Sequence, residues 1–212
     1  MIDNFLQNAL FIGTGIFLSL ELLFGAILLG LLLGTIFSIS RYNKIFPKTI
    51  NGFISIIRGT PLILQISFIY FAVPGFLNIQ LNVEIAGILA LGLNSSAYIA
   101  EILRAGIENI PNGQFEAAKT LNIPIFNTWK DVILPQVIRN ILPALTNEAI
   151  TLFKDTALIS TIGGLDIMRK SQIVSAAEFT YFTPLCIAGA YYYIFILIAE
   201  FISKKIEKRL VC

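Results

Sequence analysis

Long apolar runs alternate with short polar interruptions along this chain, and the run lengths carry the first prediction. A helix needs about 20 mainly apolar residues to cross a bilayer. Five stretches of that size occur, at residues 12–39, 53–73, 83–103, 141–165 and 184–203, the fourth being the least apolar. They predict five spanning helices, because lipid offers no partner for a free backbone N–H or C=O. The alternating rhythm of a membrane β-barrel is absent. The predicted fold is an all-α integral membrane protein, residues 1–212 forming one domain. One stretch breaks the pattern: residues 104–140 are polar and carry charges of both signs.

Composition sharpens this picture. Of the 212 residues, 56% are apolar and only 13% charged, about half the charged share of roughly 25% in soluble proteins. With a mean hydropathy of +0.80, a soluble domain of this length has more apolar surface than it can hide. The net charge of +2 contains no basic block suited to nucleic acid. There is no histidine, and Cys186 and Cys212 do not form a disulfide framework. Neither a metal nor a cofactor is expected from such a residue set. The N-terminus, MIDNFLQNALF, lacks the positive region of a secretory signal, so the first apolar run is expected to be retained.

Lysine and arginine set the expected orientation. The N-terminal tail and the 74–82 connection have none, and the connection after the fourth run has Arg169 and Lys170. The opposite side holds eleven, from Arg41, Lys44 and Lys48 to Lys204, Lys205, Lys208 and Arg209. An outside N-terminus and a cytoplasmic C-terminus follow, with 104–140 as the largest cytoplasmic loop. Within that loop, GQFEAAKTLN reads as a short helix ended by Pro124. IFNTWKDVIL then places Phe126, Trp129, Val132 and Ile133 at helical spacing, with Pro135 and Pro143 expected to break the path back into the membrane. The apolar face of this helix pair has to meet lipid, its own bundle or a partner protein.

Ionisable residues inside a membrane are costly, which makes each a candidate for function. In the fourth run Glu148 and Asp155 are seven apart and share a helix face, with Thr151 between them. Such a face suits a water-filled pocket between helices. Carboxylates pairing with Lys154 or with neighbouring helices is the competing structural account. In the third run Asn94 and Glu101 share a stripe, and Tyr98 lies between them as a pocket or gate residue. Glu101 also stands three residues before Arg104, the spacing of a local ion pair. Arg58, in RGTP at the entry to the second run, either snorkels to the interface or acts as a gate or interhelix anchor. Ala26, Gly30 and Gly34 form a row of small residues that serves close helix packing or a dimer seam.

Several fragments together resemble a known family. RGTPLILQISFIYFAVP at 58–74, AYIAEILRAGI at 97–107, GQFEAA at 113–118, ILPQ at 133–136 and LPALTNEAITLFKDTALIS at 142–160 occur in order and spacing like those of polar-amino-acid permease subunits of ATP-binding-cassette importers. The family usually has glycine where this chain has Asn122, and asparagine tolerates the left-handed backbone better than most residues. The resemblance implies the type I importer permease fold in a bacterial inner membrane. It makes Glu116, Ala117, Ala118 and Asn122 part of a coupling helix that docks on a separate ATPase. It also implies a periplasmic or lipid-anchored amino-acid-binding protein and a second permease subunit, identical or related. The chain lacks G-x-x-x-x-G-K-[ST], so ATP hydrolysis falls to that partner, not to this chain. The resemblance favours the fourth helix for substrate contact. Overall similarity leans toward glutamine, whereas Glu148 and Asp155 equally suit arginine or lysine. A membrane enzyme and an ion channel lined by Glu101, Glu148 and Asp155 are the competing classes.

Overall fold

The computed structural model describes residues 2–211. Cys212 lies outside them, and so do the side chains of Lys208 and Arg209. The helices are α1 (Ile2–Gly13), α2 (Ile16–Tyr42), α3 (Pro47–Gly59), α4 (Leu62–Ser67), α5 (Val73–Leu77), α6 (Val83–Glu108), α7 (Asn112–Thr120), α8 (Ile125–Asn127), α9 (Leu134–Asp155), α10 (Ile167–Glu178) and α11 (Phe182–Val211). No strand occurs among the described residues.

Among the described residues three stretches are long and apolar enough to cross a membrane: Asn4–Tyr42, Val83–Glu108 and Phe182–Ile206. The predicted second span differs from expectation. Pro47–Gly59 and Leu62–Leu77 meet at a bend of 106°. Thr60 is extended, with φ −115° and ψ 146°, because the ring of Pro61 disfavours the helical region for the residue before it. Gln65 fastens this corner: its Nε2 donates to the carbonyl of Ile57 at 2.8 Å and to Thr60 Oγ1 at 2.9 Å. The predicted fourth span also differs. The α-helix runs over Leu134–Asp155, and a tighter 3₁₀ segment, Thr156–Ile162, follows it to Gly163 at φ +92°. Its polar face keeps it below the hydropathy of a lipid-exposed span, which agrees with its being the least apolar of the five.

The prolines expected to end helices in the 133–143 region do not. A π-helical turn, Thr128–Ile133, joins α8 to α9, Pro135 sits in the first turn of α9, and Pro143 lies inside it. The same arrangement occurs at Phe68–Ala72 before Pro74. A proline ring collides with the carbonyl four residues earlier in a regular helix. A π turn widens the spiral just there and keeps the chain helical.

The row of small residues serves packing within the chain. Ala26, Gly30 and Gly34 of α2 are buried against α6. A Cβ on Gly34 would stand 2.8 Å from Ile99 Cγ2 and 2.9 Å from the Ser96 carbonyl, so the two helices meet at a distance only glycine permits. Around this pair Leu22, Leu91, Leu152, Phe153 and Ile159 form the main apolar core, with Phe195 of α11 stacked on Phe153. Asp166 caps α10 by accepting from the Met168 and Arg169 amides. Glu200 and Lys204 form the expected pair one turn apart on α11. Nothing in the structure explains Glu21, exposed on α2.

Candidate functional site: a polar cavity between α4, α6 and α9

The five residues expected to contact substrate come together. Asn94 and Tyr98 from α6 and Glu148, Thr151 and Asp155 from α9 line one cavity of about 470 Å³, closed on the third side by Thr60 and Leu62 at the α3–α4 corner. On α9 the lining positions 144, 147, 148, 151 and 155 follow the three-to-four spacing of one helix face, so an intact helix through Pro143 presents them together. The volume lies within the usual range of small-ligand pockets, roughly 300–1,000 Å³.

The lining is rich in acceptors. Glu148 Oε1 accepts from Ser95 Oγ at 2.7 Å, a bond that crosses from α6 to α9 and fixes the carboxylate's orientation. The Asp155 carboxylate accepts no hydrogen bond among the described residues. Asn94 is 8% exposed, and its Oδ1 is buried without a hydrogen-bond partner among them. A buried acceptor without a donor costs about 1–3 kcal/mol, which a ligand N–H relieves. Among the described residues no lysine or arginine lines the cavity. Lys154 points elsewhere, into a separate hollow with Tyr192 and Met168. Thus the site holds two carboxylates and no cation of its own.

Next to the cavity lies a cluster that the sequence revealed only in part. Glu101 pairs with Arg104 as its spacing predicted, Nη2 to Oε2 at 2.8 Å. It also holds Arg41 of α2 at 2.5 Å and stands 3.8 Å from Arg58 of α3. One carboxylate thereby ties three helices. The Arg58 guanidinium carbon lies over the Tyr98 ring, 5.4 Å from the centroid, a cation–π contact. Sequence reasoning missed Asn147, Thr60 and Ser95. Asn147 shares the face of Glu148 and Thr151, a signal that periodicity does contain. The Arg41–Glu101 pair joins positions 60 residues apart, and no local pattern announces it.

The island is built as a helical elbow. Ala118 is buried, whereas Glu116, Ala117 and Asn122 are exposed. Asn122 adopts φ +53° just past the end of α7, the left-handed turn for which asparagine is suited. Trp129 packs edge-on to Phe115 and Tyr42, and Ile133 is fully buried with Ile110, Val137 and Ile141. Phe126, expected on the same face, points out. Together with Leu121 and Ile125 it leaves three large apolar side chains more than 70% exposed beside Asn122.

The chain is similar to known transport proteins. The model of the family described as binding-protein-dependent transport system inner membrane component matches residues 26–211. The putative glutamine transport system permease protein GlnP of Rickettsia typhi is 46% identical over 210 residues, 98% of this chain and 96% of that one. The arginine transport system permease protein ArtQ of Bacillus subtilis is 41% identical over 94% of this chain and 92% of its own length. Among solved structures, a crystal structure of an amino acid ABC transporter with histidines superposes with a TM-score of 0.89 at 35% identity, covering 96% of both chains. An inward-facing MetNI methionine transporter shares the fold at 18% identity, with a TM-score of 0.73 over 94% of each chain.

Proposed function

Because the chain belongs to the family of binding-protein-dependent transport system inner membrane components, we propose that it is the membrane-spanning subunit of an ATP-driven importer carrying a polar amino acid into the cytoplasm. The observation that carries this reading is the convergence of Asn94, Tyr98, Glu148, Thr151 and Asp155 on one cavity between helices. The carboxylates receive the cargo's ammonium, and Asn94 Oδ1 receives an N–H. Two carboxylates without a cation favour a side chain that is itself a donor, as in arginine or lysine. Glutamine is the second reading, supported by the name of the relative at 46% identity.

The N-terminus faces outward and the 104–140 region faces the cytoplasm, in keeping with the distribution of lysine and arginine. Glu116, Ala117, Ala118 and Asn122 lie at the elbow where a separate ATP-binding-cassette subunit docks. The exposed Leu121, Ile125 and Phe126 supply the apolar part of that contact. A second permease subunit completes the path, and a periplasmic or lipid-anchored binding protein delivers cargo. ATP binding shifts the equilibrium between outward-open and inward-open forms only as far as it favours one of them.

The test is uptake into liposomes holding the assembled transporter and its binding protein, with labelled arginine, lysine and glutamine offered singly. ATP-dependent uptake of one of them is expected. Flat uptake and flat ATPase activity with all three, from a complex shown to be assembled, would overturn the reading. A second expectation concerns docking. Replacing Phe126 with aspartate places a charge in the apolar contact and is expected to weaken association with the ATPase by about tenfold or more. The thermal midpoint of the isolated permease should stay unchanged, because Phe126 is 71% exposed. Undiminished co-purification of the ATPase would show that this surface is not the contact.

A further inference from the structure

Every amino acid carries a carboxylate beside its ammonium, and the cavity lining has no cation to receive it. We propose that Arg58 is the subsite for the α-carboxylate of the amino acid, at the edge of the cavity marked by Tyr98. This rests on the amino-acid reading above and extends it to a residue outside the lining.

The geometry singles out Arg58 among the nearby cations. Tyr98 forms part of the cavity wall, and Arg58 rests on the face of that ring. Thr60, two residues further along the chain, lines the same cavity. Arg58 and Tyr98 together also line two adjoining hollows, of about 430 and 380 Å³, the second of which runs along the α6–α9 cleft to Asn109 and Asn140. Arg58 therefore stands where the cavity meets the spaces leading out of it.

Its bonding leaves it available. Arg41 donates to one oxygen of Glu101, and Arg104 donates to the other through two nitrogens. Arg58 is 3.8 Å from that second oxygen, beyond hydrogen-bond distance. Its side chain is 44% exposed, and among the described residues it donates no hydrogen bond. Arg41, at 18% exposure and tied to Glu101, has no such freedom. A guanidinium has five donors in a planar fork that matches a carboxylate with two parallel bonds. Swinging off Glu101 costs Arg58 one loose ion pair, and a substrate carboxylate replaces it with a closer one. The α-carboxylate then sits on Arg58 at the Tyr98 edge, and the ammonium on the same carbon, with any cationic side-chain group beyond it, faces Glu148 and Asp155. Tyr98 provides the apolar face against which the amino acid's methylenes lie.

The test compares a substrate with the same molecule lacking its carboxylate: L-arginine with agmatine, and L-glutamine with 4-aminobutanamide. Each is titrated calorimetrically onto the assembled permease–ATPase complex in detergent, with the binding protein left out so that only the membrane site is read. The unaltered complex is expected to prefer the amino acid to its amine by about tenfold to a hundredfold. Arg58→Gln is expected to erase most of that preference while changing affinity for the amine less than about threefold. A preference that persists in Arg58→Gln overturns the proposal, and so does its absence from the unaltered complex. A purely structural role for Arg58 weakens both ligands together and leaves the ratio unchanged, which overturns it as well. Should Arg58→Gln not assemble, Arg58→Lys carries the same test: partial loss of the preference is expected, and an unchanged ratio overturns the proposal. If the unaltered complex binds none of the four compounds, the amino-acid reading itself fails, an outcome distinct from the others.

Discussion

ATP-driven uptake by a Glu148→Gln, Asp155→Asn double variant is expected to fall by about a hundredfold or more, the loss of two charge-assisted hydrogen bonds at about 1.5–3 kcal/mol each. The substitutions keep volume and hydrogen-bonding capacity. The amide oxygen introduced at position 148 still accepts from Ser95, whose Oγ lies 2.7 Å from the present carboxylate, so the α6–α9 contact survives. What disappears is the negative charge of a cavity with no cation in its lining. The experiment is initial-rate uptake in liposomes at matched amounts of assembled complex. Uptake within about threefold of the unaltered transporter would show that these carboxylates hold helices together and do not receive cargo. A cationic cargo is expected to suffer more than glutamine, because both of its cationic centres lose a partner.

Gly15→Ala is expected to cost the fold about 3 kcal/mol, near the upper end for overpacking. Gly15 joins α1 to α2 and lies against the start of α10. A Cβ there would sit 2.4 Å from the Ile167 amide nitrogen, 2.5 Å from the Asp166 carbonyl carbon and 2.7 Å from its oxygen. All three are backbone atoms, so no side-chain rotation relieves the overlap. Asp166 at the same spot is fully buried, caps α10 and accepts from the Tyr192 hydroxyl at 3.0 Å. Pushing α10 away therefore disturbs the seat of α11 as well. A large drop in the thermal midpoint of the detergent-solubilised protein, or failure to recover it, is the expected result. Gly52→Ala is the control, since a Cβ there meets nothing within 4 Å. Equal midpoints for the two variants would refute the close approach.

Sequence alone carried most of the architecture, and the reason is local. Burial in lipid forces helices wherever apolar runs are long enough, and Val83–Glu108 and Phe182–Val211 arose where the runs predicted them. The left-handed turn at Asn122 stands where the resemblance implied a glycine, and asparagine tolerates it. The shared face of Glu148, Thr151 and Asp155 followed from helical periodicity, and all three line the same cavity. The misread elements share a cause. By its pattern alone the sequence runs one continuous span, 53–73, through Pro61, and makes Pro135 and Pro143 breaks. The outcome at each proline depends on whether a neighbour satisfies the orphaned backbone groups. At the 106° corner the Gln65 side chain does so, and before Pro135 and Pro74 a π turn makes the room.

The sequence by itself determined the class, most of the long helices, the polar island and the shared face of Glu148, Thr151 and Asp155, since periods of 3.6 residues and stretches of about 20 residues are properties of neighbours along the chain. Tertiary structure alone decided which faces meet. It brought Thr60, Asn94 and Asp155 around one space, set Arg41 and Arg58 on Glu101, laid Arg58 on Tyr98, and left the Asn94 acceptor without a donor. Such pairings join positions far apart in the chain, 60 residues in the case of Arg41 and Glu101. They are selected by close packing of α2 on α6 and by the corner at Pro61, neither of which leaves a periodic trace in the chain.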